Sequence, residues 1–482
     1  MVERIRKLYK SLQAPAKASL WFLICGFLQK GITLITTPLF TRIMTAAEYG
    51  RFSVYNSWFG IIQIITSLNL AAGVYTRGLV KNETDQERFT SAMLGLSTTC
   101  ILIGSVIYAA FHNLINNWLG LSTVLMGTMM VEIWATAAYQ FWSNRERANY
   151  QYKRLVALTL VFTILRPLMG LVGVLNAGES NQVEGRVICT TLVNVILFSG
   201  LYIAMMEKGK CFFDREYWRY ALKFNIPLVP HYLSQIVLSQ SDKIMIKEFV
   251  GAEEAAYYSV AYTLSMVLQI LSTSISGTMN PWIYRSLEHG TAKRIGKPSY
   301  LILIIIAVSN LFVIIMAPEI LTILAPESYQ SAVWVIPPVT ASVYFMFLYN
   351  LFATFEYYYN KTSYVMFASV IGAIMNVVLN AVFIPKFGYI AAGYTTLVCY
   401  IMYAFAHCFF MRKIVKDNLG DMMIYNYKLI VGIGAVLIVC SAAVMLVYDN
   451  PLLRYFMLIC GVVIVFLKRK MIVGIFMDLK KR

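Results

Sequence analysis

The chain has 482 residues, of which 59% are hydrophobic and only 13% are charged, and its mean hydropathy is +0.64. This composition excludes a soluble protein of two or three domains, which needs far more charge on its surface. The net charge of +17 comes from basic residues scattered through short segments, which favours an anionic membrane face over a nucleic-acid groove. Eight cysteines without a CxxC pair and four scattered histidines indicate neither disulfides nor a metal site, so we predict no cofactor.

In chain order, the sequence predicts an all-α integral membrane protein with about fourteen transmembrane helices. The basic N-terminal segment precedes an apolar run that is too long for a secretory signal, so we predict a retained first helix. The predicted spans cover residues 18–40, 52–76, 90–111, 119–142, 155–176, 187–206, 224–241, 257–282, 298–317, 332–354, 362–385, 389–411, 427–448 and 451–468.

The basic residues predict the orientation of these spans. With a cytoplasmic N-terminus, most of the 41 Lys and Arg residues lie on the cytoplasmic side, as the positive-inside rule requires. The exceptions on the outer side are Arg42, Arg51, Arg186, Lys243, Lys247, Lys386 and Arg454. We therefore predict that both termini are cytoplasmic. The loops are short and contain no phosphate-binding motif, so we predict that the chain is not an enzyme.

An internal repeat divides the predicted spans into two halves. An offset of 206 residues aligns Ala46, Glu48, Ser53 and Val54 with Ala252, Glu254, Ser259 and Val260. The same offset relates the starts of the first and seventh spans, so six spans follow in each half and both halves have the same orientation. We predict a six-helix half at 1–206, a second at 207–411, and two additional helices with a basic tail at 412–482.

Several spans carry a polar face that lipid does not favour. The first, second, seventh and eighth spans each have Ser, Thr, Asn or Gln at helical spacing, including Gln63, Gln235 and Gln269. Such side chains either form hydrogen bonds between helices or line a hydrated cavity. Because equivalent helices of both halves share the pattern, we predict a central polar cavity that these three glutamines help to line.

Three charged residues, Lys30, Glu132 and Arg166, lie near the predicted bilayer midplane. A charge at this depth costs about 2.5–3.5 kcal/mol or more, so each needs a partner or a function. One interpretation is an ion pair between Glu132 and Arg166 that joins the fourth span to the fifth. The other is a cationic phosphate site, with Arg166 and Lys30 as ligands and Glu132 as a coupling residue. Arg suits phosphate because its planar fork donates two hydrogen bonds at once.

Further candidates lie near the ends of spans. Asp242 and Lys243 close the seventh span and are either paired at the membrane interface or part of a gate. His231, on the polar face of the same span, is a third candidate for coupling or gating. Arg77, at the end of the second span, is either a cytoplasmic anchor or a binding residue for an anionic head group.

Three stretches carry a resemblance to a known family. "PLFTRIMTAAEYGRFSV" has an Arg before a Glu-Tyr-Gly turn, and "FNIPLVPHYLSQIVLSQSDKIMIKEFVGAEEAAYYSVAYTLS" has an early proline and a terminal Asp with a basic neighbour. "NVVLNAVFIPKFGYIAAGYTT" has an Asn, Ile-Pro and Gly followed by small residues. With these stretches the chain resembles bacterial polysaccharide flippases of the MOP exporter superfamily, although Ala256 stands where a Gly is usual.

The resemblance implies a flippase that moves an undecaprenyl-diphosphate-linked oligosaccharide from the cytoplasmic to the outer leaflet of the bacterial inner membrane by alternating access. The transport would serve the biosynthesis of an O-antigen, a capsule or a related surface polysaccharide. The partners would be membrane lipids, the lipid-linked substrate, and a polymerase and glycosyltransferases of the same pathway. Two alternatives stay open: a drug or cation antiporter of the same superfamily, and an integral-membrane polysaccharide polymerase.

Overall fold

The structure is a computed structural model that describes residues 14–467. Over that range it contains seventeen α-helices, short 3-10 segments and no strand, so the predicted all-α class is confirmed. The basic N-terminal segment and the basic C-terminal tail, which contribute to the predicted orientation, lie outside the described residues. In chain order the helices are α1 (Ala14–Ile43), α2 (Ala46–Ser67), α3 (Val74–Lys81), α4 (Gln86–Leu119), α5 (Thr123–Ala148), α6 (Tyr152–Leu175), α7 (Gln182–Gly209), α8 (Arg215–Asn225), α9 (Val229–Phe249), α10 (Ala252–Glu288), α11 (Gly296–Ile315), α12 (Ala317–Leu324), α13 (Ile336–Tyr358), α14 (Thr362–Phe387), α15 (Ile390–Leu419), α16 (Tyr427–Met445) and α17 (Pro451–Leu467).

Each predicted span falls on one of the longer helices. Ten helices in the described residues are long and apolar enough to cross a membrane, which makes this a multi-pass membrane protein. The helices α2, α5, α9 and α17 are not among the ten, so the number of fourteen transmembrane helices stays a prediction. The sequence does not predict the short helices α3, α8 and α12, whose residues it places in loops or at the ends of spans.

The second predicted span, 52–76, is wrong at both ends. Helix α2 begins at Ala46 because Thr45 caps it: the Thr45 hydroxyl accepts the N–H of Glu48 at 3.2 Å. It ends at Ser67, where Leu68 and Asn69 both have positive φ angles, of 50° and 51°, and turn the chain. The following residues form α3, so Arg77 lies on this short helix and not at the end of a span.

The chain packs as two compact units that divide between Val237 and Leu238, inside α9. In the first unit α6 and α7 approach each other at Gly173, where an added Cβ would lie 2.1 Å from the Gly185 carbonyl oxygen. Only glycine permits this approach, which is typical of helix packing in membranes. Helix α7 also packs along α5, so the polar side chains of these three helices meet. The division at residues 206 and 207 stays a prediction.

The centre of the second unit is α13. Of its most apolar segment 83% is buried, and it packs against α10 and α15. A helix with so little surface left for lipid can carry polar side chains, because its neighbours supply hydrogen-bond partners. The start of α10 at Ala252 and the start of α2 at Ala46 are the two positions that the predicted repeat aligns.

Candidate transport site

Glu132 is the centre of a polar cluster in the first unit. Its side chain, on α5, is only 5% exposed. One carboxylate oxygen accepts hydrogen bonds from the guanidinium of Arg166 at 2.8 Å and from Asn194 at 3.1 Å. The other accepts from the hydroxyls of Tyr55 at 3.3 Å and Thr191 at 3.1 Å. The carboxylate therefore has four donors from α2, α6 and α7, and the ion pair between Glu132 and Arg166 is present.

Arg166 is only partly occupied by this ion pair. Its side chain keeps 42% of its surface exposed, whereas that of Glu132 keeps 5%. Only one terminal nitrogen of the guanidinium bonds to the carboxylate, so the other N–H groups of the fork are not used by Glu132. An Arg held on one side by a buried carboxylate and exposed on the other can present the remaining N–H groups to an anion.

Arg186 is a second arginine of the first unit, and the sequence predicts that it lies in an outer loop between two spans. Arg186 lies in the second turn of α7, because that helix begins at Gln182. Its guanidinium carbon lies 3.5 Å from the ring centroid of Phe40 and 3.6 Å from that of Phe52. Two aromatic faces thus hold the cation by cation–π attraction. The only sequence signal for this contact was the position of Phe40 and Phe52 near the ends of the first two spans.

The polar faces predicted from the sequence consist partly of internal hydrogen bonds. The hydroxyl of Thr37 donates to the carbonyl of Thr33 at 2.7 Å, and that of Ser67 donates to the carbonyl of Gln63 at 2.6 Å. On α10, the hydroxyl of Ser265 donates to the carbonyl of Tyr262 in the same way. Because Ser and Thr can satisfy themselves within their own helix, their hydroxyls do not by themselves indicate a hydrated cavity. That prediction therefore depends on the amide and charged side chains.

The predicted binding residues other than Arg166 occupy different environments. Lys30 is exposed on α1 and makes no hydrogen bond or ion pair within the described part of the chain. Gln63 is half-buried, and its amide nitrogen has no hydrogen-bond partner among the described residues. Gln235 is exposed and Gln269 is half-buried. Arg77 is exposed and its guanidinium carbon lies 5.5 Å from the ring centroid of Phe224.

Asp242 is the centre of a polar cluster in the second unit. It is 1% exposed, so it does not lie in water at a helix end. One carboxylate oxygen accepts from the hydroxyls of Tyr258 at 2.6 Å and Thr396 at 2.7 Å, and the other accepts from the amide of Asn380 at 2.6 Å. These donors come from α10, α14 and α15. Within the described residues no ion pair reaches Asp242.

Further amide and hydroxyl oxygens surround this carboxylate. The side-chain amide oxygen of Asn376 accepts from the hydroxyl of Ser241 at 2.9 Å and from the amide of Asn380 at 3.3 Å, and the hydroxyl of Thr395 donates to the side-chain amide oxygen of Asn380. Among the described residues no group of three or more His, Cys, Asp or Glu could hold a metal ion. A single carboxylate among neutral oxygens instead has the chemistry to hold a proton or a hard monovalent cation, which prefers oxygen ligands.

The other coupling candidates are less enclosed than Asp242. Lys243 is half-buried: its ammonium donates to the amide oxygen of Gln240 at 3.2 Å and lies 5.2 Å from the ring centroid of Tyr262. His231 is half-buried, and its ring centroid lies 5.9 Å from that of Tyr232.

A buried acid–base pair in the second unit was missed in the sequence pattern. Glu356 on α13 and His407 on α15 are both fully buried, and the His407 Nδ1 atom lies 2.7 Å from a carboxylate oxygen of Glu356. The rings of Tyr349 and Tyr403 pack on the imidazole, with centroids 5.4 and 4.6 Å away. The two residues are far apart in the sequence, and the stretch around Glu356 is dominated by aromatics, so no spacing pointed to them.

Comparison with known proteins shows which family the chain belongs to. The model of the family described as polysaccharide biosynthesis protein matches residues 16–287, more than half of the chain. The chain belongs to the polysaccharide biosynthesis protein family. This member is also similar to Lsg locus putative protein 1 of Haemophilus influenzae, with 20% identity over 374 residues, which cover 75% of this chain and 89% of the relative.

Two solved structures share the fold of this polysaccharide biosynthesis protein. The lipid II flippase MurJ, in an inward closed conformation, aligns with a TM-score of 0.71 and 14% identity over 94% of this chain and all of that one. A multidrug resistance MATE family transporter of the MOP superfamily, in an inward-facing conformation, aligns with a TM-score of 0.63 and 11% identity over 82% of this chain and 95% of that one. At these identities the likeness shows the fold. Together with the family match, it confirms the resemblance to polysaccharide flippases of the MOP superfamily.

Proposed function

We propose that this protein is a flippase that moves an undecaprenyl-diphosphate-linked oligosaccharide from the cytoplasmic to the outer leaflet of the bacterial inner membrane by alternating access. The observation that carries the proposal is the state of Arg166, an arginine within a membrane helix that is fixed by Glu132 on one side and exposed on the other. Membership of the polysaccharide biosynthesis protein family supports the substrate class.

In this proposal Arg166 binds the diphosphate. Each phosphate of a diphosphate presents pairs of oxygens that can accept two hydrogen bonds at once from the fork of a guanidinium. The bond to Glu132 fixes the orientation of the fork in advance, which lowers the entropy cost of binding. Lys30, exposed on α1, supplies a second cation for the same group.

The neutral polar residues serve the oligosaccharide. Gln63, Gln235 and Gln269 offer amide donors and acceptors for sugar hydroxyls, and the amide nitrogen of Gln63 has no partner among the described residues. Arg77 on α3 is exposed and takes part in capture of the anionic head group. Both termini are cytoplasmic in this proposal, and a polymerase and glycosyltransferases of the same pathway act on either side of the flipping step, for an O-antigen, a capsule or a related surface polysaccharide.

Coupling is assigned to Asp242. Its carboxylate is buried, forms no ion pair within the described residues and accepts hydrogen bonds from neutral groups, so binding of a proton or a monovalent cation changes the net charge of the cluster. A cation antiporter with this fold would use such a residue too. The assay therefore includes a cationic dye as a competing substrate; transport of the dye without transport of the lipid would support the antiporter.

The test of Arg166 is a charge-removal series in proteoliposomes that contain a lipid-linked oligosaccharide. We expect Arg166→Gln to lower translocation at least about tenfold, because a bidentate charge-assisted contact contributes on the order of 1.5–3 kcal/mol. Glu132→Gln/Arg166→Gln removes the ion pair without leaving a charge unpaired, and we expect it to be more stable than Arg166→Gln but equally inactive.

The controls separate binding from structure. Lys30→Gln removes the second cation of the proposed site and is expected to lower translocation as well. Its matched control is Arg42→Gln, which removes an exposed cation from the C-terminal end of α1, where the side chain donates to the Pro38 carbonyl of its own helix. Rates are divided by the amount of folded protein in the liposomes. Recovery of translocation in the double variant would show that Arg166 only balances Glu132, and the proposal for Arg166 would be abandoned.

A further inference from the structure

A pocket of about 500 Å³ lies in the second unit, where α15 ends and α16 begins. It contains none of the residues of the candidate transport site. Its volume is within the range of about 300–1,000 Å³ that is typical of small-molecule sites. The residues that matter for its chemistry are Phe405, Phe409, Arg412, Lys413, Lys416 and Tyr427.

The α15 side of the pocket changes from apolar to cationic along one helical face. Phe405, Phe409, Arg412 and Lys416 follow each other at steps of four, three and four residues, so they share a face. Phe405 is 77% exposed and Phe409 is 62% exposed. In a membrane protein, exposed aromatic side chains in the span face lipid, and the cations one or two turns further along reach the head-group region.

The cations of the pocket outnumber its carboxylates among the described residues. No ion pair is formed there by Arg412, Lys413 or Lys416. The guanidinium carbon of Arg412 lies 5.1 Å from the ring centroid of Tyr427, which orders the cation without neutralising it. Asp421 is the one carboxylate among the described lining residues, so the three cations give the pocket a net positive charge.

We propose that this pocket binds the phosphate of an anionic phospholipid, with the acyl chains lying over Phe405 and Phe409. The three cations supply the attraction for a net negative head group, and each basic residue near an anionic surface contributes to binding. A zwitterionic lipid would bring its own cation into a positively charged pocket and is disfavoured. Free phosphate leaves the aromatic half of the pocket without a partner. The bound lipid joins the end of α15 to the start of α16, the first helix of segment 412–482.

Cys408 provides a direct measurement, because it lines the pocket and is half-buried. The full-length protein is delipidated in an uncharged detergent and alkylated with N-ethylmaleimide, and each cysteine is followed by peptide mass spectrometry. Phosphatidylglycerol, at about ten times its dissociation constant, is expected to slow alkylation of Cys408 about tenfold, since occupancy follows mass action. The rate at Cys211, in the first unit, is expected to stay constant and is the internal control.

Two charge variants test the cations. Arg412→Gln/Lys413→Gln/Lys416→Gln is expected to abolish protection of Cys408. Arg215→Gln/Arg219→Gln/Lys223→Gln removes the same number of exposed cations from α8 and is expected to leave protection intact. Lys416→Glu serves as a single-site variant should the triple variant have a lowered melting temperature. Equal protection by phosphatidylcholine or by inorganic phosphate, or protection that persists in the α15 variant, would overturn the proposal.

Discussion

The two units each contain a buried carboxylate that collects donors from several helices, yet the charge of the two carboxylates is balanced in different ways. Glu132 in the first unit accepts two hydroxyls, one amide and the guanidinium of Arg166. Asp242 in the second unit accepts two hydroxyls and one amide, all of them neutral.

Because of this difference, the charge of Glu132 is balanced by Arg166, whereas the charge of Asp242 can be changed by binding a cation or a proton. Glu132 and Arg166 cancel each other, so the cluster has no net charge to relieve. A carboxylate buried without a counter-ion is costly, and the dipoles of hydroxyls and amides offset the cost only in part. Of the two carboxylates, Asp242 is therefore the one that is stabilised by binding a proton or a monovalent cation. We expect it to couple an ion gradient to transport.

The largest expected effect is that of Asp242→Asn on transport. Asn has nearly the same shape and can still accept a hydrogen bond, but it can neither bind a proton nor attract a cation. In proteoliposomes with an inward gradient of protons or sodium ions, we expect translocation to fall at least about tenfold, the change that about 1.4 kcal/mol produces. The melting temperature in detergent is expected to change little.

The matched control for this prediction is the same assay without an ion gradient. If coupling is the function of Asp242, the variant and the wild type should differ less when no gradient is applied. A variant that keeps the gradient response of the wild type would show that Asp242 only holds α9 to its neighbours.

The second prediction is that Glu132→Gln, in the first unit, lowers the stability of the protein. Glu132→Gln leaves Arg166 without its counter-ion and takes one acceptor from the buried donors Asn194, Thr191 and Tyr55. Breaking a fully buried pair costs about 3–5 kcal/mol; because Arg166 is partly exposed, we expect about 2–3 kcal/mol, seen as a lower melting temperature in detergent. Asp242→Asn, measured in the same detergent, is the control. A larger loss of stability in Asp242→Asn than in Glu132→Gln would reverse the comparison.

The amino-acid pattern was sufficient for those features that depend on one helix at a time. Apolar length and helical spacing were enough to place every predicted span on a helix. The ion pair of Glu132 with Arg166 could be foreseen because two opposite charges near the midplane of consecutive spans have few other partners. Boundaries that depend on capping and on left-handed residues, such as the end of α2 at Ser67, were not visible in hydropathy.

The amino-acid pattern did not predict contacts between helices that are distant in the sequence. The seventh predicted span stops at residue 241, where charged residues begin and hydropathy falls, whereas α9 continues to Phe249 and Asp242 is buried. Glu356 and His407 meet only through the packing of α13 on α15. Burial of a charge is decided by which side chains from other helices surround it, and a single sequence does not contain that information.

The smallest expected effects are those of removing one hydrogen bond from each carboxylate, by Tyr258→Phe and by Tyr55→Phe. Tyr258 and Tyr55 lie on α10 and α2, the helices whose starts the predicted repeat aligns, and each hydroxyl donates to a carboxylate. The bond of Tyr258 to Asp242 is 2.6 Å long and that of Tyr55 to Glu132 is 3.3 Å long. A hydrogen bond to a charged group contributes about 1.5–3 kcal/mol, and the contribution weakens with distance.

We expect Tyr258→Phe to destabilise the protein by about 1.5 kcal/mol, because Asp242 then keeps only two neutral donors. We expect Tyr55→Phe to destabilise it by no more than about 0.5 kcal/mol, because Glu132 keeps its ion pair and two other donors. Melting temperatures of both variants in one detergent decide the matter: equal shifts would mean that the two carboxylates depend on their neutral donors to the same extent.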